Sequence, residues 1–161
     1  MKPIGLKNKE NITFLNGYKV KELAETYKTP LYILDEIQLL KNINDYKESF
    51  RSTMFNTHVV YASKALLVKE LIKIINDNGL YMDSVSLGDL YVSKESGFDM
   101  SHIVFHGNNK SDEELEYAIL NNVGIIVVDN LKELIRLDEL TSRFKKKTQI
   151  TPITDAEINQ E

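Results

Sequence analysis

The sequence "HVVYASKALLVKEL", residues 58–71, joins an apolar strand-like run directly to a helical pattern. Residues 59–62 are typical of a buried strand, and apolar residues recur at helical spacing from Leu67 onward. A strand followed at once by a helix predicts a βα unit. Lys64 stands at the junction. Its amine either reaches solvent beyond an apolar stem or, desolvated among apolar strand ends, loses its proton and forms a Schiff base with a carbonyl compound.

Similar strand-like stretches recur along the chain at a constant interval. The middle residues Val60, Met82, Val104 and Ile126 are separated by 22 residues each time, and amphipathic helix patterns lie between them. A parallel neighbour can be reached only through a long connection, so this order predicts a parallel sheet with helical crossovers. The three later stretches are "LYMDSVS" (80–86), "HIVFHG" (102–107) and "GIIVVD" (124–129).

Two α/β architectures fit this order, an open doubly wound sheet and part of a (β/α)8 barrel. A leucine-rich repeat has a similar period, but its leucine and asparagine pattern is absent. The first strand is followed by no glycine-rich phosphate fingerprint, which weakens a dinucleotide-binding fold. We therefore predict a partial (β/α)8 TIM barrel of about four βα units with parallel strands, because a whole barrel needs about 250 residues. The strand "GIIVVD" would form an edge unless "TQIT" (148–151) pairs with it.

The domain organisation follows from where the repeats begin. An N-terminal arm differs in character from the repeats, with a turn at Asn16-Gly17, a short helix from Val20, an extended leading strand "LYIL" (31–34) and a helix capped by Asp35. The expected segments are the arm (1–57), the partial barrel (58–152) and a polar tail (153–161).

The composition excludes several classes of function. The 161 residues are 42% hydrophobic and 27% charged, which is ordinary for a water-soluble globular domain. Basic residues are dispersed except in residues 143–147, so no nucleic-acid partner is expected. Without cysteine there is no disulfide, thiolate or zinc-thiolate chemistry, and the three histidines lack metal-ligand spacing. No apolar run approaches the about 20 residues of a membrane span, so we expect a cytoplasmic protein without a membrane partner.

Polar residues at the carboxyl ends of the predicted strands are the candidate site residues, because sites in barrels and open α/β sheets form there. Asp83 also suits a turn or a helix cap. The sequence "GNNK" (107–110) offers backbone amides and a cation that could hold an anion, or it serves only as the entry to a helix. The candidates are Lys64, Asp83, Ser86, His106 and Asp129.

Five motifs resemble, in order, the N-terminal part of the diaminopimelate decarboxylase family over about residues 10–143. They are "TPLYILDE", "YASKA", "MDSVSLGDLYVSKESGFD", "IVFHGNNKSDEELEYAI" and "IIVVDNLKELIRL". "YASKA" is shared with other decarboxylases on this fold, whereas "DSVSLGDL" followed by "VFHGNNKS" is characteristic of the diaminopimelate branch.

The resemblance implies a barrel that holds pyridoxal 5′-phosphate as an aldimine to Lys64. By position Asp83 matches a family aspartate close to the cofactor, and Ser86 and His106 match motif residues, so all four are expected to bind the cofactor. The reaction implied is decarboxylation of meso-diaminopimelate to L-lysine, with the cofactor as electron sink. A small-molecule amino-acid substrate and a homodimer of the full-length protein are implied too.

The sequence departs from the family pattern at single residues and in the parts of the family protein that it contains. Leu87 and Asp89 stand where the family has glycine and glutamate, and Gln149 stands where an arginine is expected. The glycine-rich phosphate loops, the acidic partner of the pyridine nitrogen and the C-terminal β-domain are not among these residues. We therefore expect an N-terminal fragment that is inactive alone. The alternatives are a non-catalytic remnant or binding module on the same scaffold, and another amino-acid decarboxylase that uses pyridoxal phosphate.

Overall fold

The structure, a computed structural model, describes residues 5–152. Within them the chain divides after Thr57 into two compact units, each with its own sheet. The predicted polar tail, residues 153–161, lies outside the described residues. Among residues 5–152 no helix has both the length and the apolar character that a membrane crossing requires.

The first unit contains a three-stranded antiparallel sheet in the order β1-β2-β3. Its strands are β1 (Leu6–Lys9), β2 (Ile12–Leu15) and β3 (Tyr18–Lys19). Both connections are two-residue turns with positive φ throughout, 48° and 64° at Glu10 and Asn11, then 48° and 90° at Asn16 and Gly17. These angles match the type I′ turn, whose twist suits a hairpin. The predicted turn at Asn16-Gly17 is therefore confirmed, whereas the three strands were not predicted.

Two helices complete this unit, α1 (Val20–Tyr27) and α2 (Glu36–Ser49). Asp35 caps α2 as predicted, because its Oδ1 accepts hydrogen bonds from the Gln38 backbone N at 3.0 Å and from Asn16 Nδ2 at 2.7 Å. The predicted leading strand "LYIL" was wrong, since residues 31–34 belong to no strand and are exposed. An apolar run becomes a strand only where a neighbour offers backbone groups to pair with, and no described strand pairs with it.

The second unit is a five-stranded sheet in which every neighbouring pair is parallel. The strand order is β4-β5-β6-β7-β8, the same as the order in the chain. A barrel segment has this sequential order, whereas a doubly wound sheet reverses its order at a switch point. The strands are β4 (Val60–Ala62), β5 (Tyr81–Ser84), β6 (Ile103–Phe105), β7 (Ile125–Val128) and β8 (Gln149–Pro152).

One helix follows each of the first four strands, as the repeat predicts. They are α3 (Lys69–Asp77), α4 (Leu87–Glu95), α5 (Asp112–Leu120) and α6 (Leu131–Phe144). The strand β8 contains most of "TQIT" and pairs with β7, Ile126 opposite Ile150, so β7 is not the edge of the sheet. Gln149, which replaces the expected arginine, begins this edge strand and is exposed.

The two faces of the sheet differ in burial. Side chains alternate along a strand, and paired residues of parallel neighbours share a face. Asp83 pairs with Ala62 on one side and Val104 on the other, so these three lie on one face, where all three are only partly buried. The helices cover the opposite face, where the fully buried strand residues are Met82, Ser84, Ile103, Phe105 and Ile126.

The helix ends follow the local sequence signals with one exception. Ser111 caps α5 in a full capping box with Glu114, and Gly79 and Gly97 follow helices with φ of 66° and 77°. Gly124 is the exception, because α5 already ends at Leu120. Its Cβ would lie 1.9 Å from the Ser101 carbonyl oxygen, so glycine is required there by the close approach of two backbones.

Candidate active site

Three of the predicted site residues lie at the carboxyl edge of the parallel sheet. Lys64 is in the 3-10 turn Ser63–Ala65 that follows β4, Asp83 is inside β5, and His106 comes directly after β6. The backbone N of His106 donates to the Ser84 carbonyl at 2.8 Å, which extends the β5–β6 pairing past the end of β6. The strand pairing therefore brings chemically active side chains from three consecutive units to one edge.

Asp83 and His106 are in direct contact. Nδ1 of His106 lies 3.2 Å from Oδ1 of Asp83, but the geometry is not that of a directed hydrogen bond. Oδ1 is buried and accepts no hydrogen bond from any described residue. Burial raises the pKa of Asp83 above its ordinary 3.8, and the nearby Asp89 carboxylate adds to this, although His106 and Lys64 oppose it. The buried oxygen of this carboxylate thus lacks a hydrogen-bond donor among the described residues.

The Lys64 side chain is exposed at the same edge. Its charge acts on Asp83, so the two groups belong to one electrostatic site. Of the two alternatives for Lys64, the structure shows the amine that reaches solvent, because the face of the sheet that carries Asp83 is only partly covered by described residues. Lys64 therefore remains accessible to a ligand from solvent.

The Ser86 side chain caps the helix α4. Its Oγ accepts a hydrogen bond from the Asp89 backbone N at 3.2 Å and so caps α4. A cap fixes where a helix begins by satisfying one of its free N–H groups. Among the described contacts the Ser86 hydroxyl donates to none, so its hydrogen remains available at the carboxyl edge.

A buried ion pair next to the site was not predicted. Lys110 Nζ lies 2.6 Å from Glu133 Oε1, and the residues are each 3% exposed. The same amine donates to the carbonyls of Gly107 at 2.9 Å and Val127 at 2.7 Å. The suggestion that this lysine of "GNNK" holds an external anion was therefore wrong, since its donors are directed inward. The pair fixes the loop that follows His106.

The other two histidines lie at the opposite end of the sheet. The rings of His58, Tyr81 and His102 stack, with centroids 4.3 Å and 4.6 Å apart. Both histidines precede their strands, so they are remote from the carboxyl edge. Across residues 5–152 no group of three or more histidine, aspartate or glutamate side chains is arranged to hold a metal ion.

Asp89 also contacts the site, and the sequence indicated it only weakly. Its Oδ2 accepts hydrogen bonds from the Val85 backbone N at 2.9 Å and from Ser63 Oγ at 3.3 Å. The spacing Ser86-x-x-Asp89 is a capping signal, but that spacing does not predict the bond to Ser63. Asp129, which follows β7, is partly buried and makes no described side-chain contact.

Comparison with known proteins assigns this arrangement to a family. Residues 38–160 match the family described as "Pyridoxal-dependent decarboxylase, pyridoxal binding domain". The diaminopimelate decarboxylase of Staphylococcus aureus is 36% identical over 134 residues, which are 83% of this chain and 31% of that protein. The enzyme of the same name from Bacillus methanolicus is 40% identical over 136 residues, 84% and 32% of the two chains.

A solved structure agrees with these matches. The crystal structure of diaminopimelate decarboxylase from M. jannaschii superposes with a TM-score of 0.88 at 32% identity, covering 93% of this chain and 36% of that one. This chain therefore spans about a third of the length of the proteins it matches. The partial-barrel prediction and the resemblance to diaminopimelate decarboxylases are both confirmed. The chain belongs to the pyridoxal-dependent decarboxylase family.

Proposed function

We propose that this chain is the pyridoxal-binding part of a decarboxylase that converts meso-diaminopimelate to L-lysine and CO2. Lys64 is the residue that attaches the cofactor in this proposal. The observation that carries it is the accessible Lys64 amine beside Asp83, a carboxylate with a buried oxygen that lacks a donor. Relatives named as diaminopimelate decarboxylases support the reaction.

The residues at the carboxyl edge fit pyridoxal 5′-phosphate. The cofactor offers an aldehyde for an amine, and the protonated nitrogen of that linkage would offer positive charge to a carboxylate. Lys64 supplies the exposed amine, and Oδ1 of Asp83 is buried without a hydrogen-bond donor among the described residues. A carboxylate whose pKa is raised by burial is stabilised by any positive charge that binds beside it.

The cofactor, when bound, accepts the electron pair left on the substrate carbon as CO2 departs. Lys64 would hold the cofactor through a C=N bond between its amine nitrogen and the aldehyde carbon, with loss of one water molecule. Asp83 would hold positive charge next to this bond, and His106 lies against Asp83 and limits the positions of its carboxylate. Ser86 retains a hydroxyl hydrogen that can be donated at the same edge.

The choice of substrate rests on the relatives. The M. jannaschii enzyme was solved in co-complex with L-lysine, the product expected from meso-diaminopimelate. The substrate is therefore proposed to be a small amino acid with a second amine. A homodimer and a cytoplasmic location stay predictions from the sequence.

A second candidate is a non-catalytic module on the same scaffold. It is favoured by Gln149, which stands at the start of β8 where the family resemblance implies an arginine. An amide cannot supply the fixed positive charge of a guanidinium. Because the chain spans about a third of its relatives, we expect no CO2 release from meso-diaminopimelate by this chain alone, and turnover would contradict that expectation.

Covalent labelling tests whether the chain attaches pyridoxal phosphate at Lys64. The chain is incubated with pyridoxal phosphate, reduced with borohydride, which adds hydride to the C=N bond, and mapped by peptide mass spectrometry. We expect the label at Lys64. Lys69, an exposed lysine in the next helix, provides an internal control. A folded chain labelled no more at Lys64 than at Lys69 contradicts the proposal. Release of CO2 from other amino acids by the unreduced chain in the presence of pyridoxal phosphate would indicate a different decarboxylase.

A further inference from the structure

The residue before Lys64 is unusually constrained. Ser63 is 2% exposed although it begins a turn at the edge of the sheet. Its Oγ lies 3.3 Å from Oδ2 of Asp89, on the neighbouring βα unit. A carboxylate only accepts, so the serine hydroxyl is the donor. The backbone that leads into Lys64 is thus tied to a residue 26 positions further along the chain.

Asp89 is in turn held by two contacts of its own unit. Its Oδ2 accepts from the Val85 N at 2.9 Å, and its backbone N donates to Ser86 Oγ at 3.2 Å. In a full capping box the carboxylate accepts from the backbone N of the cap itself, as Glu114 does from Ser111. Asp89 instead reaches one residue further back and across to Ser63, so its carboxylate joins the ends of two strands.

The far side of the Lys64 turn is held as well. Tyr61 OH donates to the Leu66 carbonyl at 2.9 Å, spanning the turn. Ser63 and Leu66 are therefore each fixed by a hydrogen bond, and the exposed Lys64 lies between them. A fixed backbone restricts the directions in which a long, flexible side chain can project, which lowers the entropy lost when its amine is bound.

We propose that Ser63 and Asp89 are positioning residues that hold the Lys64 turn so that the amine faces the carboxyl edge beside Asp83. Neither residue needs to touch the cofactor, because both act through the backbone of the turn. The inference rests on the proposed function, in which Lys64 attaches pyridoxal phosphate. The aspartate that stands here in place of the family glutamate has a definite role, because its short side chain reaches both Val85 N and Ser63 Oγ.

The test compares Ser63→Ala, Asp89→Asn and the double variant with two controls. Ser142→Ala and Asp138→Asn make the same chemical changes at exposed positions of α6. Each folded chain is treated with pyridoxal phosphate and borohydride, and the initial labelling rate at Lys64 is divided by the rate at Lys69. Deuterium exchange of the amides of residues 63–66 is measured in the absence of cofactor.

We expect the labelling ratio to fall about tenfold in Ser63→Ala, the size expected for loss of a hydrogen bond to a charged group, and less in Asp89→Asn, whose amide oxygen can still accept a weaker one. Because the two residues share one hydrogen bond, the double variant should fall little further. Exchange should accelerate in residues 63–66, and both controls should match the wild type. The labelling ratio is the decisive readout, since a general loss of stability would affect both lysines alike.

If the wild type is labelled preferentially at Lys64 and the variants show the same labelling ratio, the positioning role is overturned and the proposed function stays intact. A wild type without preference for Lys64 overturns both. If Asp89→Asn does not fold, Ser63→Ala decides alone, since it removes a single oxygen atom.

Discussion

Nδ1 of His106 lies 3.2 Å from Oδ1 of Asp83, yet that oxygen is buried and accepts no directed hydrogen bond within residues 5–152. Such a carboxylate is costly to keep charged. Functional sites often retain groups that destabilise the fold. The contact therefore has consequences for stability as well as for binding.

Asp83→Asn is expected to stabilise the chain at pH 7. The pKa of Asp83 is raised by burial, so the charged form is less favourable in the folded than in the unfolded state. This penalty is present above the folded pKa and disappears as the pH falls through it toward 3.8. Urea unfolding from pH 7 to pH 4 should show a stabilisation that shrinks on acidification. Exposed Asp138→Asn is the control, and a destabilised Asp83→Asn at pH 7 would contradict the description of this carboxylate.

The buried Lys110–Glu133 pair predicts strong coupling. Lys110→Met or Glu133→Leu alone should lower the free energy of unfolding by about 3–5 kcal/mol, because each leaves an unpaired buried charge. The double variant should lose much less than the sum of the two single losses. Glu116→Gln, in the exposed pair with Arg143, should cost at most about 1 kcal/mol. Additive losses for Lys110 and Glu133 in urea unfolding would show that the pair is not buried as described.

Gly124→Ala should destabilise the chain more than Gly79→Ala. A Cβ at Gly124 would lie 1.9 Å from the Ser101 carbonyl oxygen, whereas at Gly79 nothing lies within 4 Å. Relief at Gly124 requires a backbone shift and should cost about 3 kcal/mol or more. Gly79 has φ of 66°, so its alanine variant should lose about 1 kcal/mol to backbone strain. Thermal unfolding of both variants gives the order, and the reverse order would contradict the close approach.

Glu114 should contribute stability that depends on pH in the opposite sense to Asp83. Burial raises its pKa, but hydrogen bonds from the Ser111 and Leu87 backbone N–H groups outweigh this and hold the pKa below its ordinary 4.5. A lowered carboxylate pKa stabilises the fold above pH 4.5, and this contribution is lost as the pH falls through the folded value. Glu114→Gln should therefore cost about 1 kcal/mol at pH 7 and less at pH 3. Glu113→Gln, an exposed neighbour, should change neither value.

The repeat of 22 residues predicted the sheet because each strand and its helix form a local unit. The order and direction of β4 to β7, and the cap at Ser111, follow from patterns within a few residues of each other. The sheet β1-β2-β3 was missed because a strand such as "LKNK" is exposed at every position and has no apolar alternation.

The strand ends also predicted that Asp83 and His106 would lie close together. Two other contacts between neighbouring βα units had no sequence signal. Lys110 meets Glu133 across 23 positions and Ser63 meets Asp89 across 26. Such pairs depend on how neighbouring βα units pack, which no local pattern specifies. The same packing leaves Lys64 exposed, which is one of the two alternatives that its sequence context left open.

The attachment of pyridoxal phosphate to Lys64 is tested most directly by visible circular dichroism during titration of the chain with the cofactor. A free cofactor has no such signal, whereas one fixed in a chiral site does. We predict a saturable signal for the wild type and for Lys69→Arg, and none for Lys64→Arg, which keeps the charge but cannot form the C=N bond. An equal, saturable signal in Lys64→Arg would contradict the central role of Lys64.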